Sequence, residues 1–206
     1  MQSFDLSSIP PMPWKNGGGT TRELACWPPG STWENFEWRA SVASVAGPCT
    51  FSAFAGVDRQ IMLLEGSGLR LHRQDSGAIH ALDVPWRSQG FPGEAAIDCT
   101  LLGGPSSDFN LMVRRARWQG QLRVAREACV PGSTPAGLCL VLAGRWRHGD
   151  AVLTPGQGLW WPQQQASPAL TPVNEPAPAL AWIVLSPAPS FNPPPQEAGA
   201  KPHETI

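Results

Sequence analysis

Short apolar runs, broken every few residues by proline or glycine, constrain this chain more than any other feature. The 21 glycines and 23 prolines among its 206 residues are scattered in small groups, and no segment keeps a helical period beyond about two or three turns. Between the breaks lie runs rich in β-branched, aromatic and aliphatic residues: 20–27, 38–45, 60–65, 69–72, 78–82, 97–102, 109–115, 122–125, 138–142, 159–162 and 179–185. Turn signals recurring every 8–12 residues or so predict an all-β sandwich or barrel. A faint repeat runs through it. Leu63 to His72 and Val141 to His148 each read as an apolar strand, a glycine turn (Gly66, Gly144) and a returning strand, and Leu153-Thr-Pro-Gly-Gln157 has the form of a turn back into a sheet. The expected organisation is two jelly-roll halves, 1–120 and 121–186, then a proline-rich mobile tail, 187–206, with too few large apolar residues to offset its ordering entropy. The block 168–178 reads as a loop tied down by the strand after it.

Charge narrows the function classes. A net charge of −1 with only 15% charged residues argues against a general nucleic-acid or membrane-surface binder. No apolar run approaches the roughly 20 residues of a membrane span. The opening residues lack the basic and apolar regions of a signal peptide, so a cytoplasmic protein is expected. Five cysteines without a CxxC pair fit free thiols in a reducing compartment. Ten tryptophans accompany no tyrosine. Most belong to packing, but Trp14, Trp38 and Trp86 stand beside polar clusters and are candidates to wall a pocket.

The densest polar chemistry is Met12-Pro-Trp-Lys-Asn-Gly-Gly-Gly-Thr-Thr-Arg-Glu-Leu24. Gly17, Gly18 and Gly19 permit positive φ and close backbone approach. Around them stand Trp14, Lys15, Asn16, Thr20, Thr21 and Arg22 as aromatic, cationic and hydrogen-bonding groups. One reading is a nest of backbone N–H groups suited to a small anion; the other is a glycine bulge entering a strand. The spacing is not that of a phosphate-binding P-loop.

No His-x-His pair exists among His72, His80, His148 and His203, so a metal site built from alternate strand positions is not expected, and neither metal nor cofactor is assigned. GxSxG is absent, and no cysteine sits in a cationic glycine turn, which argues against nucleophilic catalysis. Arginine chemistry remains. Strand alternation puts Arg39 and Ser41 on one face, with Trp38, Ala40 and Val42 on the other. Asp58-Arg59 sits at the mouth of an apolar strand. Asn110, Met112 and Arg114 share a face. A guanidinium fork matches a carboxylate. Each cation also has a structural alternative: Arg59 paired with Asp58, Arg39 paired with Glu37 or another acid, and Arg114 with Arg115 opening a solvated basic face.

The wording of three stretches, 12–24, 36–71 and 108–115, in this order, resembles the HutD/Ves family of metal-poor, cupin-like proteins. The resemblance runs from about residue 4 to 186. It implies an RmlC-like cupin jelly roll in two halves, association with bacterial histidine utilisation, and binding of an intermediate such as N-formylglutamate without an established activity. Ves-like relatives imply a stress response. The family's motif residues stand here as Trp14, Lys15, Asn16, Arg39, Asp58, Arg59, Phe109, Asn110 and Arg114. With Gly17, Gly18, Thr20 and Ser41 they form the expected ligand site, and a small dicarboxylate is the expected partner. The leading expectation is a metal-free sensor or regulator of histidine breakdown. The alternatives are a metal-independent isomerase or lyase using His72, Glu65 or Asp58 as acid or base, and a stress-linked interaction protein whose pocket is vestigial.

Overall fold

The computed structural model describes residues 1–173 and 176–189. Its strands are β1 (Gln2–Asp5), β2 (Met12–Pro13), β3 (Gly19–Trp27), β4 (Trp38–Val45), β5 (Cys49–Phe51), β6 (Val57–Glu65), β7 (Leu69–Arg73), β8 (Ile79–Leu82) and β9 (Ser88–Pro92). They continue as β10 (Ile97–Leu101), β11 (Ser106–Arg114), β12 (Trp118–Ala125), β13 (Ala136–Ala143), β14 (Trp146–His148), β15 (Ala151–Leu153), β16 (Gln157–Trp161), β17 (Leu170–Pro172) and β18 (Ala179–Pro187). The helical structure among the described residues is a 3-10 turn at Leu6–Ser8. Every apolar run in the sequence became a strand. What the sequence did not signal are the short strands β1, β2, β5, β9, β15 and β17, whose two to five residues offer little alternation to read, whereas β14 is the returning strand of the repeat. One of them, β17, lies inside the block expected to be a loop.

Four antiparallel sheets stack in layers. Their orders are β5-β10-β7-β8, β2-β3-β4-β11-β6-β9, β1-β16-β13-β18-β12 and β15-β14-β17. The two larger sheets lie back to back. Between them Trp38, Ala40, Val42, Met62, Phe109 and Leu111 meet Leu138, Leu140, Ala181, Ile183 and Trp160 in one continuous core. Trp38 and Trp160 meet edge to face, 5.9 Å between centroids. The far face of the six-stranded sheet packs Val45, Ile61 and Leu63 on Leu69, Leu71, Leu82 and Ile97 of the four-stranded one. The far face of the five-stranded sheet packs Cys139, Val141, Leu180 and Trp182 around Trp146 and Leu170. Strands of the two inner sheets are therefore buried on both faces, which is why β4 and β13 are apolar or small almost throughout.

The repeat seen in the sequence marks equivalent crossings. Gly66 (φ 97°) and Gly144 (φ 73°) lead β6 into β7 and β13 into β14, each passing from an inner to an outer sheet. Gly156 (φ 89°) then returns the chain to β16. The halves are not cleanly split at residue 120. Residues 2–5, grouped by the sequence with the first half, are hydrogen-bonded to β16 in the second, and β12 joins β18 from Trp118 onward. Of the expected tail, β18 reaches Pro187, and buried Ala188 donates its N–H to the Arg117 carbonyl; residues 190–206 lie outside the described part. All five cysteines are free, Cys99 and Cys139 buried and the others half-buried. Among the described residues no helix is long and apolar enough to cross a membrane.

Candidate functional site

The face of the six-stranded sheet turned toward the four-stranded sheet is not apolar throughout. Antiparallel register sets three rungs across β4, β11 and β6: Arg39, Met112 and Arg59; then Ser41, Asn110 and Ile61; then Ala43, Asp108 and Leu63. Side chains on one face of a strand recur about every 7 Å, and neighbouring strands lie about 4.8 Å apart. The polar members of these rungs form the floor of a cavity of about 700 Å³. Its walls are Trp14, Trp33, Phe51 and Phe54, and Lys15 and Asn16 stand among its outer lining.

Arg39 is 3% exposed. Its Nε donates to Glu23 Oε2 at 2.6 Å, Nη1 reaches Ser41 Oγ at 3.4 Å, and the Trp33 ring covers it at 4.2 Å. Nη2 is buried with no hydrogen-bond partner. Arg59 is 8% exposed and lies between the Phe51 and Phe91 rings, 5.1 and 5.2 Å from their centroids. Its Nε and Nη2 both donate to Asn110 Oδ1 at 3.3 Å. Burial pushes this guanidinium down to about 10, against the opposing pull of Asp108; it stays charged at neutral pH. Both arginines thus bond to the second rung, through Ser41 and Asn110; in the third, Asp108 is 1% exposed. Burial pushes the Asp108 carboxyl up to about 7, the attraction of Arg59 acting the other way. No hydrogen bond reaches this carboxyl among the described residues, and Oδ2 is wholly buried.

The glycine stretch builds one wall. Gly17 takes φ 71° and donates its N–H to the Trp14 carbonyl, while the Gly18 N–H goes to Asn16 Oδ1. These donors are spent inside the turn, so of the two readings the glycine bend entering a strand, and not the anion nest, describes it. A Cβ on Gly18 would sit 2.8 Å from that of Cys49, and one on Gly19 would sit 2.3 Å from the Ser44 carbonyl oxygen and 3.1 Å from the Trp14 ring. The close approach lets the Trp14 indole lie against β3, where its Nε1 donates to Thr21 Oγ1 at 2.7 Å.

Of the sequence candidates, Trp14, Lys15, Asn16, Arg39, Ser41, Arg59 and Asn110 line the cavity, and Gly17, Gly18, Thr20, Asp58, Phe109 and Arg114 do not. Phe109 faces the other way, into the core between the halves. Asp58 is 56% exposed and pairs with Arg115 at 2.9 Å, alongside Glu94. Asp58 and Arg59 are neighbours in a strand and so point to opposite faces. Arg114 ends its strand by donating to the Phe36 and Glu34 carbonyls. It thereby anchors the loop that carries Trp33. Trp38 is core, and Trp86 packs at the edge of the same core, so Trp14 alone of the three tryptophans walls the cavity. His72, Glu65 and Asp58 are exposed and outside it. Asp108, Trp33, Phe51 and Phe54 were missed. Asp108 shares parity with Asn110 and Met112 and could have been found; the others sit in a short strand and irregular loops. No group of three or more His, Cys, Asp or Glu side chains among the described residues could hold a metal.

Two antiparallel sandwiches joined through their inner sheets, with a polar cavity opening inside one of them, define a cupin jelly roll. Solved structures agree: HutD from Pseudomonas fluorescens SBW25 superposes with a TM-score of 0.77 at 25% identity, covering 90% of this chain and 98% of that one. A deletion mutant of Bacillus subtilis oxalate decarboxylase OxdC, at 10% identity and a TM-score of 0.60 over 89% of this chain and 76% of that one, shares the fold alone. The HutD family model matches residues 6–177, and the chain belongs to that family. It is 40% identical to Protein Ves of Cronobacter sakazakii over 162 residues, 78% of this chain and 87% of that protein. Protein Ves of Citrobacter koseri is likewise 40% identical, over 78% and 83% of the two chains.

Proposed function

We propose that the cavity binds a small carboxylate resembling N-formylglutamate, and that the protein acts through this binding as a sensor or regulator of histidine utilisation. The observation that carries the reading is the convergence of Arg39 and Arg59, both buried, with the Arg39 Nη2 donor lacking any partner. A buried donor left unsatisfied costs roughly 1–3 kcal/mol, and a carboxylate oxygen removes that penalty through a charge-assisted bond. Asn110 holds the Arg59 fork in one orientation before a ligand arrives, lowering the entropy lost on binding. Membership of the HutD family supports the link to histidine breakdown. Calorimetric titration with N-formyl-L-glutamate tests the reading. Saturable binding that Arg39→Ala abolishes is expected; no heat at millimolar ligand overturns it.

A second reading, a metal-independent isomerase or lyase, is favoured by Asp108. A carboxyl with a pKa near 7 can both take and give a proton at physiological pH. NMR of the same mixture decides between them, since turnover supports the enzyme and saturable shifts without new signals support the sensor.

A further inference from the structure

Two kinds of unmet hydrogen-bonding capacity belong to residues that line one cavity. Arg39 Nη2 is a donor without an acceptor, and Asp108 Oδ2 is an acceptor without a donor. They do not satisfy each other: Asp108 forms no ion pair among the described residues, and the register sets it two rungs along β11 from Met112, the residue opposite Arg39. Two other buried side-chain atoms, Trp38 Nε1 and Gln165 Nε2, also lack a partner, but both are neutral and neither residue lines the cavity, and other buried polar side chains are provided for. Ser106 Oγ, for example, accepts from the Gly68 N–H at 2.9 Å. A fold that satisfies Ser106 but leaves a carboxyl bare at the cavity floor has left that carboxyl for something that enters the cavity.

We infer that Asp108 is the specificity-determining residue of the cavity, accepting a hydrogen bond from an N–H group of a ligand whose carboxylate lies on the arginines. This deepens the proposed function and rests on it. The ligand class is then the N-acylated amino acid rather than the plain dicarboxylic acid. Trp33, Phe51 and Phe54, on the cavity wall, supply the apolar surface an acyl group needs. A site built to hydrogen-bond an N–H discriminates far more strongly against an analogue lacking it than an apolar pocket does against a missing methylene, because rejection leaves a buried group unpaired. With Asp108 ionised, on the alkaline side of its pKa near 7, an ether or ester oxygen in the same position would turn a lone pair toward the carboxylate and bind worse still.

The test compares N-formyl-L-glutamate with its ester isostere, (S)-2-formyloxyglutarate freshly prepared, and with glutarate, by calorimetry on the full-length wild-type protein, Asp108→Asn and Asp108→Leu. The wild type is expected to prefer the N–H ligand at least tenfold over both others. Asp108→Asn, which keeps an acceptor oxygen, should retain part of that preference, and Asp108→Leu should bring the three affinities within about threefold of one another. Equal wild-type affinity for the amide and the ester overturns the inference while leaving the carboxylate reading intact, and this comparison needs no variant. A preference that persists in a folded Asp108→Leu also overturns it. Failure of all three acids to bind overturns the carboxylate reading and this inference with it.

Discussion

Asp108→Asn should make the protein more stable, and by an amount that depends on pH. A carboxyl near 7 in the fold and near 3.9 in the unfolded chain stays protonated longer in the folded state. Between those values the folded protein binds more protons than the unfolded one, so its stability falls as pH rises. Below pH 4 both states are protonated and the group contributes no penalty; above pH 7 the penalty is complete. At about 1.4 kcal/mol per tenfold difference in proton affinity, three decades amount to roughly 4 kcal/mol. Asparagine has the same shape and no titration, so its stability relative to wild type should rise from near zero at pH 4 to as much as about 4 kcal/mol at pH 8. Urea unfolding of both proteins at intervals across that range measures the difference curve, in which the ionisable groups not coupled to Asp108 cancel. Parallel curves would refute the reasoning, because they would mean that Asp108 ionises in the fold as readily as in water. A saturating ligand that donates to the carboxylate should shrink the difference at pH 8.

Four further outcomes follow from the site. Arg59→Lys keeps a charge but loses the fork held by Asn110, and should weaken binding of N-formyl-L-glutamate about tenfold; Arg59→Ala should weaken it about a hundredfold or more by calorimetry. Trp33→Ala removes a ring that is 53% exposed yet covers Arg39, so binding should weaken about two- to fivefold while thermal melting moves by less than a few degrees. Arg114→Ala frees the Phe36 and Glu34 carbonyls and loosens the loop carrying Trp33, costing roughly 1–3 kcal/mol in unfolding free energy and reducing affinity without any contact to ligand. Elemental analysis of the purified protein should find well under one zinc, iron, manganese or nickel per chain, and chelator should leave the melting temperature unchanged.

Alternation made much of this site legible. In β4 it separates Arg39 and Ser41 from Trp38, Ala40 and Val42, and the structure puts these two sets on the cavity and in the core as alternation requires. The same rule, followed strictly, would have removed Phe109 and Asp58 and added Asp108; adjacency within a motif had drawn in the first two. Arg114 has the right parity and is still not in the cavity, because it ends its strand and turns to two carbonyls that no local pattern announces. Trp33 lies in a loop held by that arginine, from a strand distant in sequence. Phe51 belongs to a three-residue strand, too short for a period to emerge. The layering of four sheets was legible only as doubly buried strands. Which inner sheet lies against which is decided by contacts between residues far apart in the chain, such as Trp38 and Trp160.

Strand β1 carries that separation to its limit. The Gln157 amide reaches the Asp5 carboxylate across 152 residues of chain, so β1 leaves the ribosome long before its partner. At about 5–20 residues per second, β16 becomes available roughly 8–30 seconds after β1. Through that interval β1 has no partner strand, and once β16 has formed, its edge is open to any extended segment, including one from another copy. Bulk added next to β1 obstructs its return, whereas bulk joined far from β1 in the chain does not hold that strand back. Expression yield should therefore depend on which end of the chain carries a fused domain, with the N-terminal fusion giving more aggregate.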